Sequence, residues 1–245
     1  MLAIVMPAYN EAACIEKVAR AWMTIFDRID GRLFVVDDGS KDETSAILDR
    51  MASGNPRLRV IHQPNSGHGA AVVRGYDEAI AAQSAYVFQT DSDDQFNPRD
   101  FWRLWELRDQ SPFVLGYRRK RSDAPHRLVI SRIVVLLNLL LFGALLRDSN
   151  IPFRLMRTEF LRELLEMMPR RVFAPNIFLS VLAAKAGARL YEVPISHEER
   201  KTGRVSILRW KLIRVCLRCV GELVVFHLQL WANRNRLRSL RTRHA

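Results

Sequence analysis

The chain has 245 residues, 49% of them hydrophobic, which is enough for one large domain with a proper core and sets disorder aside. Its formal charge of +12, from 38 Lys+Arg against 26 Asp+Glu, is unevenly spread: residues 200–245 carry twelve basic residues and one acid, Glu222. A basic tail on a nearly neutral body points to an anionic partner, either nucleic acid or the acidic face of a membrane, while three cysteines give no disulfide framework.

The opening run Leu2–Met6 reads as a strand and lacks signal-peptide character, so we expect the cytosolic compartment. Further β-rich runs at 33–37, 58–62, 85–90 and 113–116 alternate with helical patterns near 11–27, 43–52, 68–82 and 98–109. Such alternation predicts an α/β fold, a mainly parallel sheet flanked by helices. Ser40 or Asp42 caps the second helix, and Asn97-Pro98 opens the fourth. Beyond Gly116 a basic loop, Arg118 to Arg121, leads through Pro125 into the apolar stretch Ile133–Leu146. As a helix that stretch reaches about 21 Å, too short for a hydrocarbon core of about 30 Å. Helices near 158–167 and 174–186, a strand near 189–193, a loop at 196–206 and a long terminal helix complete the pattern.

On the terminal helix Arg214, Arg218 and Glu222 share one stripe, and Leu212, Ile213, Val220, Leu223, Val224 and Phe226 cover much of the rest. Trp210 and Trp231 lie near its ends, which suits a membrane interface; the alternative is a core-packing helix with a frayed basic tail. Cys216 and Cys219 have C-x-x-C spacing but lie within this helical pattern without a second ligand pair, and we read them as structural. The expected organisation is a catalytic domain at 1–206, with a donor half 1–116 and an acceptor half 117–206, followed by an amphipathic membrane-associated segment at 207–245.

Five polar pieces fall at the carboxyl ends of the predicted strands, the edge where open α/β sheets bind ligands. They are Pro7-Ala8-Tyr9-Asn10-Glu11, Val36-Asp37-Asp38-Gly39-Ser40, Asn65-Ser66-Gly67-His68-Gly69, Asp91-Ser92-Asp93-Asp94-Gln95 and Gly116-Tyr117-Arg118. Three aspartates at the end of an apolar run need a counter-charge, and Mg2+ or Mn2+ shared with substrate phosphates supplies one. An aromatic ring beside an acid holds a nucleobase and ribose, and glycines let the backbone approach phosphate, so the implied ligand is a nucleotide diphosphate. His62, His68, His126, His197, His227 and His244 have no metal-ligand spacing and read as structural or surface residues.

These motifs, together with Asp148-Ser149-Asn150-Ile151-Pro152-Phe153-Arg154, resemble those of the family 2 glycosyltransferases of GT-A fold. Within that family they are similar to the polyprenyl-phosphate hexosyltransferases of the dolichyl-phosphate mannose synthase type, over residues 2 to about 206. The resemblance implies that Pro7, Tyr9, Glu11, Val36 and Asp38 hold the nucleoside. It implies that Asp91, Ser92, Asp93 and Gln95 face the pyrophosphate, with Asp93 and Gln95 as direct ligands of Mg2+ or Mn2+. Arg118, Arg127 and Ser131 match the positions around the acceptor phosphate; Arg127 and Ser131, four apart, share a helix face just before the apolar stretch. Arg200 and Ser206 resemble a mobile loop that closes over both phosphates, although Gly203 and Ser206 are three apart where many relatives have a spacing of two.

The implied reaction is inverting transfer of a sugar from a nucleotide-diphosphate sugar, GDP-mannose or UDP-hexose, to a dolichyl or undecaprenyl phosphate. The implied location is peripheral, on the cytoplasmic side of the membrane. A soluble sugar or protein hydroxyl as acceptor would instead need a carboxylate base, for which Asp94 or Asp148 could serve. A nucleic-acid-binding role for the tail ranks lowest, because its arginines alternate with Leu237 and Leu240 and no aromatic stacking platform accompanies them. The motifs leave the sugar, the nucleotide and the oligomeric state open.

Overall fold

A computed structural model of the chain describes residues 1–118, 125–169, 172–198 and 209–244, with 125–131, 209–217 and 244 described as backbone only. The uncharged run Leu2–Ala8 forms β1, buried at every position, as a central parallel strand covered on both faces requires. It lies within a seven-stranded sheet of order β3-β2-β1-β4-β6-β5-β7. The other strands are β2 (Gly31–Asp37), β3 (Leu58–His62), β4 (Tyr86–Gln89), β5 (Phe113–Arg118), β6 (Arg154–Arg157) and β7 (Tyr191–Ile195). β6 runs antiparallel to both β4 and β5, and the remaining pairs are parallel. The carboxyl ends of β1, β2, β4 and β5 therefore share one edge.

Helices α1 (Ile15–Met23), α2 (Thr44–Ser53) and α3 (His68–Ala81) connect the first four strands. Gly75 lets α3 seat directly on β1, since a Cβ there would lie 2.3 Å from Val5 Cγ1. On the sheet's other flank Phe88 meets Phe153 at 4.8 Å, Phe101 at 5.0 Å and Trp22 at 5.3 Å between ring centroids. Such aromatic contacts add directional packing to area burial.

Three local readings differ from the structure. The helix expected over 98–109 is a short 3-10 turn, Pro98–Asp100, capped by the Asn97 side chain, and then α4 (Phe101–Trp105), which buries Phe101 and Leu104. β6 escapes the sequence patterns altogether: four residues that begin and end with arginine carry no alternating signal. The terminal helix breaks at Asn233 into α8 (Arg209–Ala232) and α9 (Arg234–His244).

α5 (Pro125–Phe142) ends before Gly143, whose φ of +66° stops the helix. α6 (Thr158–Met167) and α7 (Pro175–Lys185) complete the second half. α8 buries Leu223, Phe226 and Leu230, with Phe226 4.9 Å from Phe178 and 6.0 Å from Phe142 on α5. α9 turns back onto α6 through Arg236–Glu166 and Arg243–Glu163 ion pairs around a buried Leu240. Among the described residues no helix is long and apolar enough to cross a membrane.

Candidate active site

The crevice opens where β4 leaves β1. Thr90 N donates to Val5 O at 3.0 Å as the last bond on that side. Pro7 has no N–H to donate and faces the same side two residues later, where β4 has already turned away. On the other side Pro7 pairs with Val36, and Asp38 N still donates to Ala8 O at 2.9 Å. Tyr9, just beyond β1, is 39% exposed, whereas Glu11 and Val36 are buried.

Adjacent loops lace this edge together. The main-chain N–H groups of Asn10, Glu11 and Ala12 donate to Ser40 Oγ, Thr44 Oγ1 and Asp42 Oδ2, and Lys41 N donates to Asn10 Oδ1. Asp38 is buried and its carboxylate accepts from Gln63 Nε2 at 2.7 Å and from Ser66 N and Gly67 N at 2.8 Å each. It thus shapes the loop that precedes α3. Gly39 permits this close approach: its φ is +71°, and a Cβ would lie 2.7 Å from Asn65 N.

Asp37 points into a different network, accepting from Ser40 N, Ser45 Oγ and His62 Nδ1, while His62 Nε2 reaches Asp49 at 3.0 Å. Burial pushes the Asp37 carboxyl up, but the hydrogen bonds from Ser40, Ser45 and His62 outweigh it and hold the group below its ordinary range. The Asp49 hydrogen bond, opposed by burial and aided by Asp37, raises His62 above its ordinary value.

The acidic stretch follows β4. Asp93 Oδ1 lies 3.4 Å from Gln95 N, and Gln95 Nε2 donates to Glu198 O at 2.9 Å, which leaves Oε1 as the amide atom open to a cation. Glu198 N returns a bond to Gln95 O, and Phe96 bridges to His197, so the residues after β7 are stitched to this loop. Ser92 is buried and its carbonyl accepts from Cys14 Sγ. Asp94, at φ +60°, is ion-paired with Lys17. His68 stands with Nε2 4.0 Å from Asp91 Oδ1; only the placement of α3's first residue over the β4 edge reveals this, since no local spacing marks the histidine.

A divalent cation fits these residues in kind. Among the described residues no three His, Cys, Asp or Glu side chains converge into an all-protein cage. Mg2+ and Mn2+ commonly take one or two carboxylates with phosphate and water oxygens completing the shell, and Asp93 with Gln95 Oε1 is a hard-oxygen set of that type.

At the end of β5, Arg118 Nε and one terminal nitrogen donate to Asp148 at 2.8 and 3.2 Å. Both side chains are largely enclosed, at 18% and 4% exposure. The two carboxylates considered as bases for a hydroxyl acceptor, Asp94 and Asp148, are thus each engaged by a cation. The side chains of Arg127 and Ser131, and the whole of Arg200 and Ser206, lie outside the described residues.

An open, mainly parallel sheet whose carboxyl edge gathers an exposed tyrosine, a backbone-lined loop and an acidic turn defines an α/β protein with a ligand crevice at its strand ends. The sequence profile described as glycosyl transferase family 2 matches residues 3–166, and the chain belongs to that family.

Among relatives, the undecaprenyl-phosphate 4-deoxy-4-formamido-L-arabinose transferase of Pseudomonas syringae pv. syringae is 29% identical over 219 residues, covering 87% of this chain and 63% of that protein. The chain thus spans less than two thirds of that relative's length. The polyprenol monophosphomannose synthase of Mycolicibacterium smegmatis is 28% identical over 243 residues, covering 96% of this chain and 88% of that one. In fold the chain is similar to glucosyl-3-phosphoglycerate synthase from Mycobacterium tuberculosis, crystallised with Mn2+, UDP and phosphoglyceric acid. That likeness has a TM-score of 0.69 at 19% identity and covers 93% of this chain and 78% of the other, which establishes the GT-A fold.

Proposed function

We propose that this glycosyltransferase moves a sugar from a nucleotide-diphosphate sugar to a polyprenyl phosphate, with inversion at the anomeric carbon. The observation that supports the reading is the placement of two groups along one sheet edge: the acidic turn Asp91–Gln95 follows β4, and Arg118, held by Asp148, ends β5. Relatives whose names specify undecaprenyl-phosphate and polyprenol substrates support the same acceptor class.

A phosphate monoester is already an anion and needs little base assistance, so the residues chiefly have to align it. One phosphate oxygen forms the new bond to the anomeric carbon as the bond to the donor diphosphate breaks, and the nucleoside diphosphate leaves. Tyr9, Glu11 and Val36 border the nucleoside, with Asp38 acting through the loop it holds. Asp91 and Ser92 face the pyrophosphate. Mg2+ or Mn2+, held by Asp93 and Gln95, would supply positive charge to the departing diphosphate. Arg118, with Arg127 and Ser131 from the start of α5, receives the acceptor phosphate, and the family resemblance assigns Arg200 and Ser206 to the two phosphates.

The membrane surface completes the reading. Leu136 and Leu140 on α5 and Val225, Leu228 and Trp231 on α8 are exposed, and these packed helices give the C-terminal segment 207–245 an apolar face for peripheral attachment on the cytoplasmic side. The tail's arginines are partly committed elsewhere, since Arg236 and Arg243 pair with α6, which weighs against a free nucleic-acid-binding arm.

The test is a screen of GDP- and UDP-sugars with a short polyprenyl phosphate and Mn2+ or Mg2+, scored by label in an organic-extractable product. Asp93→Ala should abolish that product while leaving the thermal midpoint within error of the parent. Product only in the aqueous phase would refute the lipid acceptor, and near-normal turnover of the variant would remove Asp93 from the metal site.

A further inference from the structure

The first residue of β6 is a completely buried arginine that the reaction described above does not use. Arg154 Nε donates to Ile151 O at 3.1 Å. One terminal nitrogen donates to Asn176 O at 2.9 Å and Ser180 Oγ at 3.3 Å, and the other to Ser149 O at 3.2 Å and again to Ile151 O. Each of these acceptors is neutral. A buried guanidinium usually takes a carboxylate, because carbonyls alone offset only part of its desolvation. Burial accordingly pulls its pKa down to about 10, with Tyr76, Asp148 and Asp91 acting in the other direction through space.

The position of Arg154 explains what this costly group serves. In the sheet register it lies between Gln89 on β4 and Leu115 on β5, two residues before Asp91 and three before Arg118. The carbonyls it gathers at Ser149 and Ile151 belong to the turn that starts immediately after Asp148. That turn is also held from α7, where Ser180 Oγ lies 2.8 Å from Ser149 O, and from α5, where Asn138 Nδ2 donates to Ser149 Oγ at 2.8 Å. Three elements thus converge on one short turn, and the adjoining residue is the carboxylate bound bidentately to Arg118.

We propose that Arg154 is a positioning residue for the acceptor subsite: its planar fork clamps the Ser149–Ile151 turn, fixes Asp148, and through Asp148 presents the Arg118 guanidinium to the acceptor phosphate. The inference rests on the reading of Arg118 as an acceptor-phosphate ligand. A lysine cannot reproduce the fork, since its single ammonium cannot reach carbonyls from three directions in one plane.

The test uses the full chain and two variants, Arg154→Lys and the milder Ser180→Ala, which keeps the charge and removes one acceptor. Both should raise the KM for a short polyprenyl phosphate roughly tenfold while the donor KM stays within about twofold. A merely structural role would lower the active fraction, and so kcat, with both KM values unchanged; that result would overturn the proposal.

A second readout needs no activity. In 15N-arginine NMR the Arg118 Nε–H, assigned by its disappearance in Arg118→Lys, should be sharp in the parent and broadened or shifted in Ser180→Ala. An unchanged cross-peak in Ser180→Ala would also overturn the clamp, even if Arg154→Lys fails to fold. Absence of lipid product from the parent would instead count against the acceptor assignment, leaving the NMR result to decide the clamp on its own.

Discussion

Replacing Asp38 by Asn perturbs the loop that precedes α3 without changing side-chain size. In the parent, Oδ1 accepts from Gln63 Nε2 and Ser66 N, and Oδ2 accepts from Gly67 N. An asparagine oxygen in the Oδ1 place keeps the contacts from both donors, now uncharged, but turns an NH2 group against the Gly67 N–H. Hydrogen bonds to a charged group contribute about 1.5–3 kcal/mol each, and an orphaned buried donor costs about 1–3 kcal/mol. Because these terms overlap on one side chain, the expected net loss is about 3 kcal/mol. For a chain of this size that corresponds to a fall in thermal midpoint of roughly 6–12 °C.

The same change loosens the Asn65–His68 loop, so calorimetric affinity for the preferred nucleoside diphosphate should fall at least about tenfold. Circular dichroism melts and titration calorimetry check both numbers. A midpoint within about 2 °C of the parent, with unaltered nucleotide affinity, would refute the argument that Asp38 works by holding this loop.

Two further outcomes follow from the charge network and the exposed helix faces. His62 has a folded pKa above its unfolded value, so its bridge contributes stability fully below about pH 6.5 and loses it as pH rises through the folded pKa; His62→Gln should therefore lower the melting point more at pH 5.5 than at pH 8.5, and the reverse trend would contradict the bridge. The double variant Leu228→Glu, Trp231→Glu alters only exposed positions on α8. It should strip the protein from anionic vesicles in a flotation assay at high salt while nucleotide binding stays intact, and undiminished flotation would exclude this face.

The alternation of apolar runs and helical patterns was sufficient to predict the parallel sheet, and with it the shared edge. Parallel strands must bring their carboxyl ends together, so the sequence pattern alone puts Pro7-Ala8-Tyr9, Asp37-Asp38 and Asp91–Gln95 on one rim. Local caps and breaks were legible where one residue dominates, as at Asn97-Pro98. β6 was not, because four residues that begin and end with arginine carry no period of their own and become a strand only between β4 and β5.

The division of labour between neighbouring acids was equally hidden: Asp37 and Asp38 are adjacent in sequence, yet strand alternation sends one to His62 and the other to the Ser66–Gly67 backbone. The sequence alone determined the family, the sheet and the chemical types at its edge, since those depend on local pattern. Only the tertiary structure decided that Arg154 is buried among carbonyls, that Asp148 holds Arg118, and that α9 returns to α6. Each of these depends on which segments the fold brings together, and no local pattern encodes that.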